Sequence, residues 1–191
     1  GKDHIEDLIL SSPNLNYSGG TSRARYFQIR GIGELSQFSG EGAPHFYISY
    51  LLDNIDFSGI GMIGLLKDIK QVEIFKGPQS ALYGTNAMAG TINITSNNPT
   101  NIKEINLEHS FENFGGYTIN TNISIPLSKK LYTRFTAVKS LSDGFIKNVY
   151  KNSDNTNNKD ETLLRLKLLF LPNKKTNHTI STYYIDLNNR Y

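Results

Sequence analysis

Polar and apolar residues alternate in two different ways along this chain of 191 residues. Up to about Asn98 the apolar runs are short and glycine interrupts them. YFQIRGIG predicts a strand from Tyr26 to Arg30, broken by Gly31 and Gly33. FYISYLLDNIDF predicts one or two strands with a turn near Asp53-Asn54. QVEIF and TINIT predict two more short strands, and SALYGTNA a brief helical turn or a loop. EDLILSSPNL predicts a short helix that stops before Pro13.

From Asn101 the texture changes. YTINTNISI sets Tyr117, Ile119, Thr121, Ile123 and Ile125 against Thr118, Asn120, Asn122 and Ser124, the period of two expected of a strand. LYTRFTAVKSL sets Leu131, Phe135 and Ala137 against Arg134 and Ser140. TLLRLKLLFL sets Leu164, Leu166, Leu168 and Phe170 against Arg165 and Lys167. IKEINLEHSF and HTISTYYIDL alternate more weakly. Each segment has about the nine to eleven residues that a tilted strand needs to cross a bilayer. The connections follow a rhythm as well. PLSKK and PNKKT are short, whereas Ser142 to Asp160 is long and rich in Asn, Lys and Asp. A soluble antiparallel sandwich with one wet face gives the same alternation. The Leu-Leu-Phe face and the short/long loop rhythm favour the wall of a transmembrane barrel. Five strands cannot close such a barrel, so the expectation is a chain that stops before the barrel does.

Composition narrows the classes. The hydrophobic fraction is 38% and the charged fraction 19%, which excludes charge-driven disorder. A net charge of +3, spread along the chain, gives no reason to expect nucleic acid as a partner. The absence of cysteine removes thiolate metal sites and catalytic thiols. His4, His45, His109 and His178 stand singly, so no metal site is expected. Nothing assembles a nucleophile, a base and an oxyanion donor, so no enzyme is expected. GIGMIG, residues 59–64, matches G-x-G-x-x-G. The next strand starts too soon after it for a crossover helix, so a flexible loop is favoured over a dinucleotide site.

The strongest signals are IRGIG, residues 29–33, and VEIFKGPQSALYGTNAMAGTINI, residues 72–94. The second closely resembles the signature that ends the plug domain of TonB-dependent outer-membrane receptors, roughly VEVLRGPQGTLYGxNAxGGxINIxTxxP. Val72, Glu73, Gly77, Pro78, Gln79, Leu82, Tyr83, Gly84, Asn86, Ala87, Gly90, Ile92, Asn93, Ile94 and Pro99 fit it. IRG at 29–31 resembles an earlier plug strand of that family. LLDNIDF resembles its "DG-V" stretch, with Asn54 where Gly is usual. PLSKKLYTRFTAVKSLSDGFIKN resembles its second and third barrel strands.

The resemblance implies a mainly β, mixed fold. Residues 1–98 would be a small α+β plug domain, truncated at its N-terminus. Residues 99–191 would be the first five or so antiparallel strands of an incomplete transmembrane β-barrel, with Pro99 as the hinge. It implies a receptor in the outer membrane of a Gram-negative bacterium, in contact with outer-membrane lipid. Such a receptor binds a scarce metal chelate, most often a ferric siderophore, haem or a corrinoid, and imports it without a cofactor. The TonB–ExbB–ExbD complex would drive it through a TonB box expected upstream of Gly1. The family's two basic plug residues map to Arg30 and Lys76, a candidate latch to carboxylates of the barrel wall. Lysine at 76 replaces the usual arginine and cannot form a bidentate fork. Gly31, Glu73, Gly77, Pro78, Tyr83, Gly84 and Gly90 form the plug motif. Gln37, Phe38 and Phe57 are candidate ligand contacts at the plug apex. A non-transporting cell-surface β-sheet binding or adhesive protein is the competing class. It keeps the alternation but has no reason to carry the 72–99 motif.

Overall fold

The computed structural model describes residues 5, 9, 11–18, 26–33, 46–58, 66–84, 86–150, 153–156 and 158–189. These form two compact units, Gly1–Asn97 and Asn98–Tyr191. GIGMIG and the histidines at 4 and 45 lie outside the described residues.

The first unit holds two small sheets. β1 (Leu15–Ser18), β2 (Tyr26–Ile29) and β3 (Ile32–Gly33) form an antiparallel sheet in chain order. The β2–β3 turn is Arg30-Gly31, with φ of 54° and 78°. That left-handed pair matches the twist of a two-residue hairpin and explains glycine at 31. The second sheet contains β4 (Ile48–Leu52), β5 (Ile55–Asp56), β6 (Ile69–Lys76) and β7 (Gly90–Ser96) in the order β5-β4-β7-β6. Asp53 and Asn54 form the predicted turn, with φ of 50° and 65°. β7 pairs parallel with β4 and antiparallel with β6. Local patterning cannot show the parallel pairing. β4 is buried at every position, as expected of a strand covered on both faces.

The core of this unit lies between the two sheets. Phe27 stacks on Tyr50 with centroids 5.9 Å apart and planes 1° from parallel. Ile29, Tyr50, Ile92 and Ile94 are at most 2% exposed. The other face of the second sheet carries Ser49, Thr91, Asn93 and Glu73. Leu51 and Phe75 share this face, and Ser49 and Thr91 are fully buried on it.

The second unit is one five-stranded antiparallel sheet, β8 (Glu104–Glu112), β9 (Gly116–Pro126), β10 (Leu131–Ser142), β13 (Lys159–Asn173) and β14 (Thr176–Leu187), paired in chain order. The turns after β9 and β13 are short. The long connection between β10 and β13 carries a small hairpin of its own, β11 (Ile146–Asn148) and β12 (Ser153–Thr156), which the loop's composition did not announce.

Candidate functional site

The sheet of the second unit is inverted relative to a water-soluble one. On β9, Thr118, Asn120, Asn122 and Ser124 are all buried, while Ile125 on the other face is 36% exposed. Register carries this across the sheet. Asn106, Asn122, Thr136 and Arg165 share one rung of the polar face. Ile105, Ile123, Phe135 and Leu166 share the neighbouring rung of the apolar face. Thr136, Arg165 and Lys167 are at most 3% exposed, whereas Ile105, Phe135, Leu166 and Ile180 are 37–63% exposed.

Hydrogen bonds support the polar face. Asn120 Nδ2 donates to Glu108 Oε2 at 3.1 Å, and the Thr118 and Ser140 hydroxyls are 3.0 Å apart. Arg134 lies 3.5 Å from Glu104. The Thr100 N–H donates to Ser124 Oγ at 2.8 Å and fixes the entry to β8 just after Pro99.

The apolar face has aromatic ends. At the long-loop end, His109 lies 4.5 Å from Phe111 and 4.7 Å from Tyr117. At the short-turn end, Phe170 stacks on His178 at 6.2 Å. Between them runs the span Leu131 to Leu141 of β10. At about 3.3 Å per residue and a tilt of about 40°, this band is about 25 Å tall, the height of a bilayer's apolar band on a barrel.

The plug-signature residues fall around the β6–β7 connection of the first unit. Gly77 donates its N–H to Ala89 O at 3.0 Å and Gln79 to Ala87 O at 2.8 Å, so the ladder continues past the strand ends. Pro78 follows Gly77 and is exposed. The expected helical turn is Ser80–Tyr83, closed by the Gly84 N–H on Ser80 O. Tyr83 lies 6.0 Å from Phe75. Glu73 accepts from Asn93 Nδ2 at 3.1 Å, tying β6 to β7. Gly90 sits where a side chain has no room: a Cβ there would lie 2.4 Å from Phe75 O and 2.5 Å from Ile29 Cδ1.

Arg30 and Lys76 meet around one turn. The Arg30 N–H donates to Asn14 O at 2.8 Å, and Lys76 Nζ donates to Pro13 O at 2.5 Å. Arg30 is exposed, and Lys76 is partly so. Phe57 is half-buried, and its N–H donates to Tyr50 O at 2.9 Å. Gln37 and Phe38 lie outside the described residues.

Sequence reasoning missed a clamp on the exit strand. Asp53 accepts from the Ser96 N–H at 2.9 Å and from Ser96 Oγ at 2.6 Å. Asp68 Oδ1 accepts from Asn97 Nδ2 at 2.8 Å. Asp68 also has a left-handed φ, 56°. Asp53 was legible as a turn residue. Its contact with Ser96, 43 positions away, was not.

Residues 1–91 match the family model described as TonB-dependent Receptor Plug Domain. The chain is 25% identical over 185 residues to the pesticin receptor of Yersinia enterocolitica, a match that covers 89% of this chain and 28% of that protein. Its fold is similar to that of the ferric yersiniabactin uptake receptor of Yersinia pestis, with a TM-score of 0.83 and 23% identity over 95% of this chain and 28% of the other. It is also similar to the pyoverdine outer membrane receptor of Pseudomonas aeruginosa, with a TM-score of 0.75 and 18% identity over 98% of this chain and 26% of the other. The chain thus spans little more than a quarter of these relatives' length.

Proposed function

We propose, from the match of residues 1–91 to the plug domain of the TonB-dependent receptors, that this chain is the gate and opening wall of an outer-membrane receptor that imports a ferric siderophore or a similar iron chelate. The carrying observation is the inverted sheet: polar residues sheltered and apolar ones displayed on β9, β10 and β13. In water that arrangement sacrifices the hydrophobic effect. With lipid outside and a polar lumen inside it is the stable one. The name of one relative in structure, a ferric yersiniabactin uptake receptor, supports passage of an iron chelate, and the names of the pesticin and pyoverdine receptors support binding of a ligand from outside.

In this reading the plug closes the lumen, and an inner-membrane complex of the TonB type supplies the work to move it. A ligand held at nanomolar affinity is bound by about 12 kcal/mol, so release needs an external source. Arg30 and Lys76 latch the plug to wall carboxylates on later strands. Arg30 by its backbone N–H and Lys76 by its ammonium both hold the Pro13-Asn14 turn, which supports a shared role.

One experiment tests both parts. Iron-starved cells making the complete receptor should accumulate radiolabelled ferric siderophore, and a protonophore should stop uptake while leaving surface binding intact. The Arg30→Ala, Lys76→Ala pair should make the plug more sensitive to protease with little loss of binding. Uptake indifferent to the protonophore would contradict energised import. Unchanged protease sensitivity would contradict the latch.

A further inference from the structure

The polar face of the wall is electrically polarised along its strands. Toward the short turns it carries Arg134 and Lys167, which are direct cross-strand partners, and Arg165 one rung further on. The carboxylate that the register adds to this half is Glu104, on the rung of Arg134. Toward the long loop the same face carries Glu108, Glu112 and Glu161, with Lys159 as the cation. One half therefore has an excess of positive charge and the other an excess of negative charge.

The three cations are sheltered: Arg134 is 7% exposed, Arg165 2% and Lys167 3%. Each is already held by the chain. Arg134 Nη1 lies 3.5 Å from Glu104 Oε2, and Lys167 Nζ donates to Asn98 Oδ1 at 3.3 Å. Two carboxylates of the other half are held as well. Asn120 donates to Glu108, and Asn189 Nδ2 donates to Glu161 Oε1 at 2.9 Å. Groups fixed in this way act as stationary charges with little freedom to reorganise. The field of the buried ones, Arg134, Arg165, Lys167 and Glu161, is weakly screened.

We propose that the short-turn half of this face, built by Arg134, Arg165 and Lys167, is a transit site for anionic solutes. The proposal rests on the reading of this face as the lumen side of the wall, and it adds the charge of the cargo. A solute with free carboxylates or phenolates is drawn toward the short-turn end once it has passed the acidic half. A cationic solute is held back there. The buried cations serve passage rather than first capture, because capture occurs at groups open to solvent.

Chloride is the probe that needs no knowledge of the cargo. The complete receptor is reconstituted in a planar bilayer, opened reversibly with urea, and its reversal potential is read in a KCl gradient. The Arg165→Gln, Lys167→Gln pair should lower the chloride-to-potassium permeability ratio by roughly tenfold, the low end of the scale on which charged clefts alter local ion concentration. Arg165→Lys with Lys167→Arg should retain the ratio, which separates charge from packing. Glu108→Gln with Glu161→Gln should raise it. A conducting channel whose selectivity the charge-neutralising pairs leave unchanged would overturn the transit site and leave the receptor reading standing. Absence of any conductance in the unsubstituted protein would overturn both.

Discussion

Replacing Gly90 with valine is expected to destabilise the plug's central sheet severely. The Cβ position at Gly90 is already taken, by Phe75 O at 2.4 Å and Ile29 Cδ1 at 2.5 Å. Neither neighbour can move cheaply. Phe75 lies in the β6–β7 ladder, where Lys76 pairs with Gly90 itself. Ile29 is 1% exposed, held between the two small sheets. Overpacking a rigid core costs about 1–3 kcal/mol, and more where backbone must shift. A domain this small has about 5–15 kcal/mol in all. Denaturant unfolding followed by circular dichroism should therefore give a lower midpoint for Gly90→Ala and a still lower one for Gly90→Val. Gly31→Ala is the informative comparison. A Cβ there meets nothing within 4 Å among the described residues, but φ is +78°, so the penalty is chiefly conformational, about 1–2 kcal/mol. A Gly90→Ala midpoint equal to that of the unsubstituted protein would contradict the close approach.

Arginine at Leu166 is the second large effect. Leu166 is 41% exposed and sits between Phe135 and Thr182, midway along the apolar band. If the surface around it were water, Leu166→Arg would change stability by no more than about 0.5 kcal/mol. In lipid the cost is about 2–4 kcal/mol at mid-depth. Thr176→Arg, at the short-turn end of β14, should cost under about 1 kcal/mol, as near the interface. The comparison is made on the complete receptor by reversible urea unfolding from phospholipid vesicles. Equal, small effects at both positions would place this face in water and remove the support for a membrane wall.

How much of this was legible depended on the range of the interaction. The face assignment of Tyr117 to Ile125 needed only a period of two with strong contrast between sides, and every residue fell where the alternation put it. β13 was legible from Leu166 and Leu168 against Arg165 and Lys167. The pattern gave no hint that Leu163, opposite Val138 and Ile185, makes an apolar corner on the polar face. The parallel β4–β7 pairing depends on a chain return that no short window contains. The β11–β12 hairpin lies in a stretch of Asn, Lys and Asp, where alternation is absent. Arg30 and Lys76 could be picked out by resemblance, but their common turn at Pro13-Asn14 is a tertiary fact. Gly90 was readable only as part of a motif. Its physical reason, a carbonyl and an isoleucine methyl at the Cβ position, came from packing.

The most direct test of the account asks which solvent each face of the wall meets. These 191 residues contain no cysteine, so each cysteine introduced among them carries one spin label, any cysteine elsewhere in the complete receptor being replaced by serine. Ile105→Cys, Leu107→Cys and Phe135→Cys lie on the apolar face, Asn106→Cys and Glu108→Cys on the polar one. In the complete receptor in phospholipid vesicles, the first three labels should collide mainly with dissolved oxygen, the other two mainly with a water-soluble nickel complex. Alternation of accessibility between positions 105, 106, 107 and 108 is the predicted result. Equal access of the nickel complex to both faces would contradict a membrane wall and the receptor reading built on it.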